Sequence, residues 1–279
     1  MRSDVKIGFI GGGNMASALI GGLLKLVDHA QQIHVVDVNT EGLQRLTQQF
    51  GVSTAAQMDQ QLSEMDVVVF AVKPQNMREV VQSFAPFLKQ QLLLSVAAGI
   101  RATDISRWLG GYAVIARAMP NTPAMLGLGM SGLFALEALN AEQRQHTETI
   151  MQAVGKTVWV ENEAMIDAVT AVSGSGPAYV FYFIEAMQEA AMALGFSAQD
   201  ANTLVLQTVR GAAQLAVESS EPVSVLRERV TSKGGTTYAA LCSFEESQTK
   251  AIVAKAIKAA AERGRELGDE FGEDASSTT

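Results

Sequence analysis

A glycine-rich turn near the start of the chain is the strongest sign of chemistry in the sequence. The pattern G-x-G-x-x-A, at Gly11, Gly13 and Ala16, joins an apolar run to a stretch rich in Ala, Leu and Met. Gly11 allows a tight turn, Gly13 lets the backbone approach a pyrophosphate, and Ala16 permits close packing of a helix on a strand. The first N–H groups of that helix would hold the phosphates. Strand, turn and helix agree, so the pattern predicts a dinucleotide site.

An acidic residue follows at the end of the next apolar run. Asp37 lies about twenty positions beyond the glycines, where a carboxylate accepts hydrogen bonds from ribose hydroxyls and repels a 2′-phosphate. Taken alone, Asp37 favours NAD over NADP. The alternative is an aspartate in an ordinary turn between a strand and a loop.

Two further segments close apolar runs in the first part of the chain. Ala71-Val72-Lys73-Pro74 ends one run, and Val96-Ala97-Ala98 ends the next. Ligands bind at the carboxyl ends of strands in open parallel sheets, so both segments are candidates for the same cofactor site. Lys73 has two equal interpretations: a cation facing a cofactor phosphate or a substrate carboxylate, and an exposed lysine at a strand end.

A second candidate anion site lies late in the chain. Ser232-Lys233-Gly234-Gly235-Thr236-Thr237 comes at the start of a predicted helix. Two glycines and two threonines there present several N–H groups and hydroxyls to one point, which suits a substrate carboxylate. A flexible Gly-Gly turn with a threonine cap is the alternative.

No general base or metal centre accompanies these loops. His29, His34 and His146 have no second catalytic group beside them in the sequence, and the motifs of zinc hydrolases and serine hydrolases are absent. The sequence therefore predicts no metal and a reduction that needs only a hydrogen-bond donor. Reduction of an imine fits, because it requires little management of protons.

Composition narrows the possible partners and compartment. The chain has 279 residues, 18% of them charged, and a net charge of −8 that arises after residue 160. The low charged fraction indicates surface buried in domain or subunit contacts. Without clustered Lys and Arg, nucleic acid and anionic membranes are not expected as partners. Cys242 is the only cysteine, and neither a signal peptide nor a membrane-length apolar run occurs, which predicts a cytoplasmic protein.

Apolar patterning predicts two domains. Short apolar runs alternate with helical stretches over residues 1–160, which indicates an α/β domain with an N-terminal Rossmann-like doubly wound sheet. The predicted strands are Val5–Ile10, Gln32–Val36, Val67–Ala71, Leu92–Ala97, Ala113–Ala118 and Thr157–Val160. Helical periodicity dominates residues 161–279, which indicates an all-helical domain with a flexible tail from about residue 268. Its predicted helices are Ala178–Leu194, one from Ser197 to about Glu218, two short ones from Val223 and Thr237, and one from Glu245 to about Leu267.

The helix predicted over Ala178–Leu194 is apolar nearly all round. Such a helix must be buried, either against a second subunit or as the central core helix of a monomer. The sequence alone barely separates these two interpretations.

Several motifs, in order along nearly the whole chain, resemble the Δ1-pyrroline-5-carboxylate reductase family. The segments that carry the resemblance are Phe9 to Ala16, Ala71 to Pro74, Ser95 to Gly99, Met119 to Pro123, Ser173 to Tyr179 and Thr231 to Thr237. The resemblance implies hydride transfer from NADPH or NADH to the C=N bond of 1-pyrroline-5-carboxylate, giving L-proline. It also implies a helical dimerisation domain and a dimer of interleaved helical domains, which family members often assemble into a decamer.

The resemblance also assigns residues to the site. Those implied to hold the cofactor, besides Asp37, are Ile10, Gly11, Gly12, Gly13, Asn14, Met15, Ala71, Val72, Lys73, Pro74, Val96, Ala97 and Ala98. Thr236 and Thr237 would line the substrate pocket, with Ser232 and Gly235 supporting the carboxylate. Thr237 matches the family threonine whose hydroxyl contacts the ring nitrogen and serves as proton donor.

Two positions depart from the family pattern. Lys233 stands where many members have proline, which affects the rigidity of the substrate loop. Asp37 stands where many members have Ser or Thr suited to a 2′-phosphate, so the cofactor preference does not transfer. Two other interpretations remain open: a β-hydroxyacid dehydrogenase, which usually needs a lysine that the Ala178–Leu194 helix lacks, and a non-enzymatic nicotinamide sensor.

Overall fold

The computed structural model describes residues 4–273 and contains eight strands and eleven α-helices within them. The strands are β1 Ile7–Ile10, β2 Ile33–Val36, β3 Ser53–Ala55, β4 Val67–Phe70, β5 Leu92–Ser95, β6 Ile115–Met119, β7 Gly129–Ala135 and β8 Gly155–Trp159. The helices are α1 Asn14–Leu23, α2 Thr40–Phe50, α3 Met77–Phe84, α4 Ala102–Trp108, α5 Ala141–Gln152, α6 Met165–Val169, α7 Gly176–Ala193, α8 Ala198–Glu218, α9 Val223–Arg229, α10 Thr236–Glu246 and α11 Thr249–Gly272.

One mixed sheet organises the first part of the chain. Its strand order is β3-β2-β1-β4-β5-β6-β7-β8, and all neighbours are parallel except β6 and β7. The chain leaves β1 toward β2 and β3, then crosses to β4 on the other side of β1. Helices with buried faces cover the sheet, as in a doubly wound fold. The predicted α/β class is confirmed.

The six predicted strands are all present, and two more were missed. The missed strand β3 has only three half-buried residues at the sheet edge, so it lacks an apolar run. The missed strand β7 contains Gly129 and Gly132, which weaken strand propensity. A Cβ at Gly132 would meet Val169 at 2.6 Å, so close packing explains that glycine.

The chain divides into two compact units. Among the described residues, the first comprises residues 4–175 and 259–273, and the second comprises residues 176–258. The boundary predicted from composition, at residues 160 and 161, stays a prediction. The end of α11 belongs to the first unit, and α11 is helical to Gly272, so residues 268–272 are not part of a flexible tail. Residues 274–279 of that predicted tail lie outside the described residues.

Local sequence signals account for the helices of the second unit. Ser197 caps α8, since its hydroxyl accepts the Asp200 N–H at 3.1 Å. Gly195, at a φ of 101°, turns the chain after α7. The helix predicted from Glu245 starts too early: Glu245 lies in the last turn of α10, and Gln248 has a φ of 52°, so α11 begins at Thr249.

Helix α7 has no buried residue in the isolated chain. Phe181 is 64% exposed and Tyr182 is 71% exposed, so α7 is not the central core helix of a monomer. An apolar face of this size indicates contact with another chain. No helix within residues 4–273 is long and apolar enough to span a membrane.

Candidate functional site

Strand register brings four of the predicted segments to one edge of the sheet. Ile10 pairs with both Val36 and Phe70, and Phe70 pairs with Ser95. All four strands are parallel, so the residues that follow them meet at the carboxyl edge. The strand order reverses direction between β1 and β4, because the chain builds β2 and β3 on one side of β1 and then crosses to β4 on the other. Ligands bind at the carboxyl edge of such a sheet, beside this reversal.

The glycine turn has the shape that a dinucleotide site requires. Gly11 has a φ of 102°, and a Cβ there would meet the Ala71 carbonyl oxygen at 2.5 Å. A Cβ at Gly13 would meet nothing within 4 Å, so this backbone is open to a ligand. Gly13 precedes α1 without a side chain capping the helix, which leaves the first N–H groups available to an anion. These residues fit a pyrophosphate.

Asp37 is held in place by two backbone donors. Its Oδ2 accepts the Gly12 N–H at 2.6 Å, and its Oδ1 accepts the Asn39 N–H at 2.8 Å. The carboxylate is therefore fixed between the end of β2 and the glycine turn. An aspartate in an unrelated turn would not reach the glycine turn, so this geometry favours the ribose-binding interpretation.

The other cofactor-site residues at this edge differ in exposure. Asn14 and Lys73 are exposed, whereas Ile10 and Ala97 are buried. Ile10 packs in the core, and its carbonyl oxygen accepts the Ala71 N–H at 2.8 Å. The remaining residues are partly exposed and follow the same strands: Gly12, Met15, Ala71, Val72, Pro74, Val96 and Ala98. Their contacts with a cofactor stay predictions.

The predicted substrate residues lie together in the second unit. Gly235 precedes α10, donates its N–H to the Ser232 carbonyl at 3.0 Å and has no side chain capping the helix. A Cβ at Gly235 would meet the Ser232 hydroxyl at 2.5 Å, so Gly235 and Ser232 are closely packed in this turn. Thr236 is exposed and Thr237 half-buried in the first helical turn. The segment thus presents open N–H groups beside two hydroxyls.

A buried charge cluster near the sheet edge was missed by the sequence analysis. Arg117, on β6, is 2% exposed, and its guanidinium lies 3.4 Å from Glu163 and 3.9 Å from Asp167. Glu163 also accepts the Ala102 N–H at the start of α4. Burial lowers the pKa of Arg117 and raises the pKa of Asp167, although each opposite charge counters the shift. The signal that could have found it is an arginine inside the apolar run predicted as the strand Ala113–Ala118, since a charge in a buried strand needs a partner.

The fold and the carboxyl-edge loops define a dinucleotide-dependent oxidoreductase. The first part of the chain, residues 6–99, matches the family model described as NADP oxidoreductase coenzyme F420-dependent. Residues 163–267 match the model described as pyrroline-5-carboxylate reductase dimerisation. The chain belongs to the pyrroline-5-carboxylate reductase family.

Similar proteins match nearly the full length of the chain. The pyrroline-5-carboxylate reductase of Pseudomonas aeruginosa is 44% identical over 97% of this chain and 100% of that protein. A Coxiella burnetii reductase structure has a TM-score of 0.90 at 40% identity and covers 95% of this chain and 98% of its own. A Plasmodium falciparum pyrroline carboxylate reductase structure with NADP bound has a TM-score of 0.82 at 28% identity and covers 96% of this chain and 100% of its own.

Proposed function

We propose that this chain reduces the C=N bond of 1-pyrroline-5-carboxylate to give L-proline, the final step of proline biosynthesis. The observation that carries the proposal is the match to the pyrroline-5-carboxylate reductase of Pseudomonas aeruginosa over 97% of the chain. The carboxyl-edge loops and the Gly235 to Thr237 turn supply the two anion sites that such a reaction needs. A cytoplasmic location fits a chain with one cysteine, which forms no intrachain disulfide.

Different residues of the chain bind the cofactor, bind the substrate and donate the proton in this proposal. The glycine turn and Asp37 hold the dinucleotide, and Val96 to Ala98 lie on the nicotinamide side. The N–H groups at the start of α10 hold the substrate carboxylate. The Thr237 hydroxyl donates a hydrogen bond to the ring nitrogen, which takes a proton as the imine carbon is reduced. A bound nicotinamide cofactor supplies the hydride, and no metal is required.

Turnover by the purified protein tests this function. Reduced cofactor absorbance should fall when the protein receives 1-pyrroline-5-carboxylate, and proline should form in equal amount. The same protein given a β-hydroxyacid and oxidised cofactor should be inactive. Absence of imine-dependent oxidation with both NADH and NADPH would contradict the proposal, and tight cofactor binding without turnover would favour a sensor.

Asp37 makes NADH the preferred cofactor in this proposal. The carboxylate is fixed by the Gly12 and Asn39 amides and so cannot turn away from a ligand at the end of β2. A 2′-phosphate there would meet a negative charge at close range, whereas a 2′-hydroxyl would donate a hydrogen bond.

Asp37→Ser is expected to move the preference toward NADPH. Removing the charge should lower kcat/KM with NADH and raise it with NADPH, shifting the ratio by about 10- to 100-fold, which corresponds to about 1.4–2.8 kcal/mol. Initial rates with both cofactors measure the ratio.

The matched control is Asp66→Ser at the opposite end of the sheet. Asp66 also accepts a backbone N–H, from Lys6 at 2.8 Å, so its loss removes a similar bond away from the cofactor. The ratio in that variant should equal the parent's. An unchanged ratio in Asp37→Ser would show that this carboxylate does not select the cofactor.

We also propose that the functional form is a dimer built through the helical unit, with a decamer as a higher assembly. The exposed apolar face of α7 and the match of residues 163–267 to a dimerisation family support self-association. Light scattering on the purified protein should give at least twice the 29.7 kDa chain mass. A monomer at micromolar concentration would contradict this assembly.

A further inference from the structure

The end of α11 packs directly on the loop that follows β5. A Cβ at Gly99 would meet Phe271 at 3.1 Å and Leu267 at 3.3 Å, so these two side chains cover the glycine. Gly99 has a φ of 71°, which side-chain-bearing residues rarely adopt. Gly99 immediately follows Val96 to Ala98, the segment placed beside the nicotinamide.

Three glycines let α11 approach this closely. Gly264, Gly268 and Gly272 recur every four residues and so lie on one face of the helix. A Cβ at Gly268 would meet the Arg101 guanidinium at 2.9 Å, and one at Gly272 would meet the Asp104 carboxylate at 2.8 Å. A larger residue at position 268 would have to displace the Arg101 guanidinium, and one at position 272 the Asp104 carboxylate.

An ion pair between Arg101 and Asp269 joins the end of α11 to the start of α4. The Arg101 guanidinium lies 2.7 Å from Asp269 and donates to the Arg265 carbonyl at 3.4 Å. Arg101 occupies the N-cap position of α4, directly after the β5 loop, and its carbonyl oxygen accepts the Ile105 N–H at 3.2 Å. Hydrogen bonding to Arg101 lowers the pKa of Asp269, which keeps the partner charged near neutral pH. Phe271 therefore packs on Gly99 within the loop, and Arg101, which follows the loop in the chain, binds it to α11 through Asp269.

We propose that Leu267, Asp269 and Phe271 form a C-terminal clamp that positions the nicotinamide loop. These are positioning residues, since they act through Gly99 and Arg101 and not on substrate. The proposal rests on the proposed function, which places Val96 to Ala98 at the nicotinamide. Dinucleotide affinity comes chiefly from the glycine turn and Asp37, so loosening the clamp should disturb hydride transfer more than binding.

Phe271→Ala tests the clamp. The variant should lower kcat about tenfold or more, because small displacements of a reacting group are costly, while KM and Kd for NADH stay within about threefold. Phe271→Leu keeps an apolar side chain over Gly99 and should restore most of the rate. Glu270→Ala is the matched control, since Glu270 is exposed and pairs with Arg263 on the outer face of α11. Its kinetics should equal the parent's.

A purely structural role gives a different result. If Phe271→Ala melts at a lower temperature yet keeps kcat within about twofold at a temperature where it is folded, the clamp does not position the loop. If Phe271→Ala does not fold, Asp269→Asn decides, because it removes the ion pairs of Asp269 with Arg101 and with Arg265 and keeps the side-chain shape. A kcat equal to the parent's would then overturn the proposal. Failure of the proposed function is separate, since the parent itself would bind NADH without oxidising it when given the imine.

Discussion

Thr237→Val is expected to lower kcat by about 10²–10⁴-fold, the range typical of a lost proton donor. The valine keeps the β-branched shape in the first turn of α10 and removes only the hydroxyl. The ring nitrogen of the substrate would then gain its proton without a positioned donor. Steady-state rates at saturating NADH and imine measure the effect.

Two comparisons make the Thr237 result specific. Thr237→Ser keeps a hydroxyl at the same place and should retain most of the parent's activity. Cofactor affinity, measured by quenching of protein fluorescence, should be unchanged in both variants because Thr237 lies outside the glycine turn. Parental kinetics in Thr237→Val would mean that another group or a water supplies the proton.

Arg117→Met is expected to destabilise the protein by about 3–5 kcal/mol at neutral pH, as breaking a buried ion pair does. The substitution leaves Glu163 and Asp167, which are 14% and 15% exposed, without the Arg117 cation. The cost of partly burying these two charges then loses its main compensation. Urea unfolding, followed by circular dichroism, measures the change.

The free energy of unfolding that Arg117→Met loses should depend on pH in a definite direction. Burial already raises the pKa of Asp167, and losing Arg117 raises it further, since that cation favours the charged form. A carboxyl whose folded pKa exceeds its unfolded value contributes stability at low pH that is lost as pH rises through the folded pKa. The loss of unfolding free energy relative to the parent should therefore shrink as the pH is lowered from about 7.5 to about 5, because the Asp167 carboxyl becomes protonated.

Two further variants test whether the loss of stability comes from the unpaired charges. Arg117→Met combined with Glu163→Gln and Asp167→Asn removes all three charges, and the amide oxygen introduced at position 163 can still accept the Ala102 N–H. The triple variant should therefore recover much of the loss. Arg263→Met removes an arginine that is 53% exposed and should leave the free energy of unfolding close to the parent's. An Arg117→Met protein no less stable than Arg263→Met would contradict a structural role for the cluster.

The sequence by itself determined the features that depend on neighbouring residues. The glycine turn was readable because its strand, glycines and helix lie within ten consecutive residues, Ile7 to Ala16. Five of the six predicted strands, β1, β2, β4, β5 and β6, were readable because strands buried on both faces are nearly continuously apolar. The order of the loops along the chain identified the family, and with it the substrate turn at Gly235 to Thr237.

Tertiary structure alone decided the features that join distant residues. Spacing predicted Asp37 for the dinucleotide site, but its hydrogen bond with Gly12 depends on the pairing of β1 with β2. The Arg117 cluster joins β6 to residues about fifty positions later. Phe271, about 170 residues after Gly99, covers that glycine. The end of α11 was predicted to be flexible because the excess of acidic residues after Glu262 and the final Ser-Ser-Thr-Thr are typical of solvated tails. Its order comes from packing against Gly99 and Arg101, and no local pattern encodes a partner about 170 residues away.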